Sequence, residues 1–191
     1  MVSGELKELL RALQITQRIL WFALTASIPM YIVVGYALVG AGAVGGAALP
    51  DAVRIGLLAA ALVAGVLALV VPRRLLSDER LGERVAREPD LPSLATDTRA
   101  GGVDAGLLGR IQQLSPLEQR LFATATGSTV PLLAGLALSE AVAVIGLVLC
   151  LLFGDLGSLL ALSVVALVIN ASLYPNVDRL LERASRLVRT Y

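Results

Sequence analysis

The chain has 191 residues, of which 57% are hydrophobic and 16% charged, and its formal net charge is +1. That hydrophobic share exceeds the roughly 45–50% of soluble domains, and the near-neutral balance leaves no basic footprint for nucleic acid. With no histidine and one cysteine, Cys150, the chain lacks the usual general base, the commonest metal ligand and any internal disulfide or cysteine-cluster metal site, so neither a metal nor a cofactor is expected.

The charges cluster between apolar blocks, the pattern of a polytopic membrane protein. Residues 1–18 read as a cytoplasmic amphipathic N-terminal helix, Ser3–Gln17, leading into a first apolar stretch, Ile19–Gly40. That stretch exceeds a signal-peptide apolar core and is read as a retained span. A second stretch, Ile55–Val71, completes a first hairpin over residues 19–72. Residues 73–127 form a cytoplasmic loop whose eight basic and eight acidic residues balance, with short surface helices; it is large enough to dock a partner and is read first as a solvated connector. Within it Leu75–Ala86 has a helical pattern, while Glu88–Pro92 and Thr96–Gly102 read as turns. Ser115-Pro116-Leu117-Glu118 is a capping-box signature with proline at the first helical position, and predicts a helix to about Thr126. Gly127-Ser128 and Pro131 then allow a bend. Residues 128–175 hold a second hairpin, Val130–Phe153 and Leu156–Tyr174, and 176–191 a basic cytoplasmic C-terminal helix.

A span needs about 20 apolar residues, and all four stretches qualify, the second narrowly. The expected fold is all-α: an integral membrane protein with four transmembrane helices in two hairpins. Fifteen basic residues fall in the N-terminal tail, middle loop and C-terminal tail, and one, Arg54, in the short turns. The positive-inside rule puts both termini in the cytoplasm. One lysine against fifteen arginines, amid abundant alanine and glycine, reads as a GC-rich bacterial gene, hence a bacterial inner membrane. The hairpins echo one another weakly: Ala23-Leu24-Thr25 against Ala137-Leu138-Ser139, with a glycine after each first span. Duplication and chance among Ala/Leu-rich helices both fit.

Lipid gives apolar helices no hydrophobic reason to associate, so small residues that admit close backbone approach mark packing faces. Gly56, Ala60, Ala64 and Ala68 repeat every four residues on the second span, and Gly135, Ser139 and Ala143 on the third. These stripes fit intrachain packing or an oligomer seam. Trp21 fits an interfacial anchor. Pro29 removes a helical hydrogen bond and frees the Thr25 carbonyl.

Glu140 stands out. It is the only charged residue within the four stretches. Ten helical rises from Val130 place it about 15 Å into the span. A midplane charge costs roughly 3 kcal/mol on insertion scales and marks a functional site by default. Without a counter-charge, burial favours its neutral form. Ser139 is its expected companion in proton or ion binding, with Thr25, Ser27 and Asn170 as polar neighbours. Leu136-Ala-Leu-Ser-Glu140-Ala141, followed by Ile145-Gly-Leu-Val-Leu149 and Leu151-Leu-Phe-Gly154, resembles the carboxylate helix of the proteolipid (c) subunit of rotary ATP synthases. The resemblance covers about twenty residues. It implies that Glu140 binds a translocated proton, with Ser139 beside it, in a ring of subunits. The chain departs from that family in its fourth span, its cytoplasmic segment, and its lack of a glycine-repeat helix and a polar Arg-Gln-Pro loop.

Two functions remain open: a proton- or cation-binding membrane subunit working in a homo-oligomer or with other membrane subunits, and a structural or accessory subunit whose Glu140 contacts a partner helix. The chain is not expected to be an enzyme. It has no histidine, and its spans hold neither a Ser/Lys nor an Asp/Asp pair.

Overall fold

A computed structural model describes residues 3–44, 49–97 and 102–188. In chain order these form α1 (Gly4–Gly40), α2 (Asp51–Leu75), α3 (Asp78–Ala86), α4 (Leu91–Leu94), β1 (Thr96–Asp97), β2 (Gly102–Val103), α5 (Ala105–Gln113), α6 (Pro116–Gly127), α7 (Thr129–Phe153), α8 (Leu156–Ser172) and α9 (Val177–Val188). The chain divides into two compact units. Unit 1 combines Met1–Gln17, Arg74–Pro131 and Pro175–Tyr191; unit 2 combines Arg18–Arg73 and Leu132–Tyr174.

Three helical runs, Gly4–Gly40, Asp51–Leu75 and Pro116–Phe153, are long and apolar enough to cross a membrane, and α8 is a shorter apolar helix of 17 residues. The first and third exceed the expected spans because amphipathic helix precedes each. Ser128 keeps helical dihedrals (φ −76°, ψ −15°), so α6 runs into α7 with a one-residue interruption.

Within unit 2, the apolar parts of α1, α2, α7 and α8 pack around Ile28, Ala61, Val142, Ala143 and Ala166. Small residues set the approach. A Cβ on Gly135 would lie 2.6 Å from Pro72 Cγ and 2.9 Å from Leu173 Cδ1. One on Gly146 would lie 3.1 Å from Leu162 Cβ and 3.3 Å from Leu159 Cα. Glycine is what brings α7 against both α2 and α8.

The buried face of α2 is Ala61, Gly65, Ala68 and Pro72. This corrects the predicted stripe by about one position. Gly56 and Ala60 are exposed, and nothing lies within 4 Å of a Cβ placed on Gly56. Ala64 is half-buried, and Ala68, Gly135 and Ala143 are buried.

The unit's two ends are tied differently. At one end Asp155 caps α8 by accepting from Ser158 N, and it pairs with Arg54 near the start of α2. These bonds, the Ser158 hydrogen bonds foremost, hold the Asp155 carboxyl below its ordinary range. Gly42 and Gly154 take left-handed φ values of 65° and 68° where α1 and α7 stop, a conformation that costs glycine little. At the other end the Trp21 indole N–H donates to the Asn170 carbonyl at 2.8 Å. It adds a second donor to a last-turn carbonyl of α8 that already accepts from Leu173 N, a specific contact beyond the expected interfacial anchor.

Unit 1 has its own core: Leu6, Leu9 and Leu10 from α1, Val85 from α3, Ile111 and Leu114 at α5, Leu121, Phe122 and Ala125 from α6, and Val177 and Ala184 from α9. The segment read as a solvated connector is therefore a folded layer that shares one core with both terminal helices. Three pieces distant in sequence bury one another's apolar faces. The Thr96–Gly102 turn partly lies outside the described residues, as do Arg99 and Arg189. Its flanks pair antiparallel, Thr96 with Val103 and Asp97 with Gly102.

Glu118 closes two helix starts at once. With Ser115 it makes the capping box of α6. Its Oε1 also accepts from Ser3 N at 2.7 Å, and the Ser3 hydroxyl accepts from Leu6 N at the start of α1. These bonds, those from Ser3 foremost, pull the Glu118 carboxyl down to about 2 from an ordinary 4.5. A depressed carboxyl contributes stability that is whole above the ordinary value and is lost as pH falls through the folded one. The wild type is expected to outlast Glu118→Gln in thermal unfolding at pH 6. That gap should close between about pH 4.5 and pH 2. A pH-independent gap would mean that the carboxylate charge contributes nothing. Because the group is half-exposed, water keeps the effect small.

Candidate functional site

The site lies inside unit 2, where α7 carries Glu140 against α1. Ser27 and Tyr31 stand four residues apart on α1 and so share one face. Tyr31 Oη donates to Glu140 Oε1 at 2.6 Å, and Ser27 Oγ lies 2.9 Å from the same oxygen. Ser27 Oγ is also 2.7 Å from the Leu24 carbonyl. A hydroxyl has one hydrogen, so Ser27 serves one acceptor at a time. Glu140 Oε2 makes no hydrogen bond among the described residues, and no basic side chain there pairs with the carboxyl. Glu140 itself is half-buried.

The arrangement serves two protonation states with the same heavy atoms. Both hydroxyls can donate to a carboxylate. With a neutral acid, Tyr31 still donates to Oε1 while Ser27 turns its hydrogen to Leu24. Charge-assisted bonds to a carboxylate are worth about 1.5–3 kcal/mol each, comparable to the insertion cost of the charge.

The expected companions separate. Ser27 meets the carboxyl. Ser139, adjacent in sequence, is turned about 100° around the helix. It is buried, and its hydroxyl donates to the Ala166 carbonyl on α8 at 2.9 Å. Its donor is thus spent on helix packing. Thr25 and Asn170 pair with each other, Asn170 Nδ2 donating to Thr25 Oγ1 at 3.2 Å. Asn170 Oδ1 and Ser163 Oγ are buried without a hydrogen-bond partner among the described residues. An unpaired buried polar atom costs about 1–3 kcal/mol. Tyr31 was not among the expected site residues, although its i+4 spacing from Ser27 was a usable signal.

Among the described residues no group of three or more His, Cys, Asp or Glu side chains could hold a metal ion. The site is a single carboxyl facing two hydroxyls of its own chain. No protein-family model, curated protein or solved structure matches this chain.

Proposed function

We propose that the chain is a subunit of the bacterial inner membrane that binds a proton or cation at Glu140, in an oligomer or a larger complex. The observation that carries this reading is a lone carboxyl in an apolar helix, with one oxygen within hydrogen-bond reach of two hydroxyls of its own chain and the other without a partner among the described residues. The reading includes four spans with both termini cytoplasmic. The Arg54–Asp155 pair supports it by joining the starts of α2 and α8 at one end of unit 2. The 17 residues of α8 reach roughly 25 Å, a little short of the hydrocarbon core. A second reading, an accessory subunit that presents a packing face to a partner helix, is favoured by the exposed Gly56–Ala60 edge of α2. That the carboxyl finds its donors within the chain weighs for the first.

Labelling with a hydrophobic carbodiimide tests the reading, because the reagent takes protonated carboxyls in apolar surroundings. Purified protein in liposomes is expected to be modified at Glu140, with the yield fading as pH rises and vanishing in Glu140→Gln. No modification of the folded protein at any pH would identify a sealed structural carboxyl and sink the ion-binding reading.

A further inference from the structure

Two arginines of unit 2 have no carboxylate partner among the described residues. Arg18 on α1 and Arg73 on α2 are both exposed, and neither forms an ion pair among the described residues. Arg54, the unit's third arginine, is spent on Asp155. The Arg18 guanidinium lies over the Tyr174 ring, 5.7 Å from its centroid. Trp21 meets that ring edge-on at 5.1 Å, and its own N–H is committed to Asn170. The contact holds the guanidinium beside the ring, and no carboxylate among the described residues takes its N–H groups.

Packing puts Arg73 at the same end of the unit. Tyr174 follows Leu173, whose Cδ1 lies against Gly135, and Pro72 lies against that same glycine. Arg73 is the next residue. Exposed apolar surface adjoins each arginine in sequence: Ile19 at 63% and Phe22 at 70% beside Arg18, and Val70 at 37% beside Arg73.

We propose that this end of unit 2 binds the phosphate headgroup of an anionic phospholipid. Arg18 and Arg73 would engage the phosphate, and the apolar faces of α1 and α2 the acyl chains. A guanidinium presents N–H groups in a fork that matches phosphate oxygens, and stacking on an aromatic ring pre-orders it. A lipid satisfies both halves of the surface, whereas a free phosphate would leave the apolar half uncovered. This site stands apart from Glu140 and does not depend on the ion-binding reading.

The test is native mass spectrometry of the full chain in detergent with equal phosphatidylglycerol and phosphatidylcholine of matched acyl chains. The wild type is expected to retain the anionic lipid with a preference of about fivefold for each arginine near the headgroup. Arg18→Gln with Arg73→Gln should bring the preference close to one, while Arg54→Gln at the other end should leave it unchanged. Thermal unfolding in phosphatidylcholine alone should be the same for wild type and double variant, which separates lost binding from lost folding. The proposal is overturned if the wild type shows no preference, or if the preference survives in the double variant. It is also overturned if millimolar inorganic phosphate strips the bound lipid, since the site would then recognise phosphate alone.

Discussion

Gly135→Leu is expected to abolish the folded form of unit 2. The first added carbon already meets Pro72 Cγ at 2.6 Å, Leu173 Cδ1 at 2.9 Å and the Ala68 carbonyl at 3.2 Å. The proline ring is rigid and the carbonyl belongs to a helix backbone, so neither can swing aside. Over-packing of this kind costs about 1–3 kcal/mol for a few added atoms, and here three more carbons follow the first. Gly135→Ala should lower the thermal midpoint, and Gly135→Leu should leave no monodisperse species on size exclusion. Gly56→Ala provides the contrast. Nothing lies within 4 Å of its added carbon, and alanine is the better helix former, so stability should hold or rise slightly. Wild-type behaviour of Gly135→Leu would mean that α2 and α7 do not touch there. A large loss in Gly56→Ala would mean that the exposed edge of α2 is covered in the working protein.

The second large effect is expected at Ala184. It is wholly buried on α9, in a core shared with Leu6 and Ile111. Ala184→Asp would place there a carboxylate with no counter-charge among its apolar neighbours, at a cost of several kcal/mol. That is a large fraction of the 5–15 kcal/mol by which a domain is normally stable. Limited trypsin digestion reads the result. Arg80, Arg84, Arg87, Arg110 and Arg120 all lie in unit 1 between Arg74 and Pro131. They should resist cleavage in the wild type and be cut rapidly in the variant, although the substitution is at least 64 residues away in sequence from each of them. Unchanged digestion would show that α9 does not share the core.

How much of this was legible beforehand differs from element to element. Long apolar runs and capping residues are local signals, so the start of α6 at Ser115 and the length of α7 could be read directly, whereas α2 runs beyond both ends of its apolar stretch Ile55–Val71. The phase of α2 could not. Ala59, Ala60, Ala61, Ala64, Gly65 and Ala68 offer small residues on several faces, and only the partner helix selects one. The unit 1 core was hidden for another reason. Each contributing piece is a short amphipathic helix or, for α1, a short amphipathic end, and such a pattern equally fits a helix resting on a lipid surface. What distinguishes the two is pairing between residues as far apart as Leu6 and Ala184, which periodicity does not encode. At the site, Glu140 was conspicuous as the one charge in an apolar helix. Its sequence neighbour Ser139 drew attention that belonged to Tyr31, because adjacency along a helix is not adjacency in space.

The composition of unit 1 also bears on how the chain is made. Val177 and Ala184 are synthesised after all four apolar helices, yet they fill the same core as Leu6, Val85 and Phe122. Until α9 leaves the ribosome, those earlier side chains have apolar surface with nothing of their own chain to cover it. The apolar helices α2, α7 and α8 are therefore complete in the chain before unit 1 can close. During that interval the nascent chain is at its most exposed to aggregation and to chaperones.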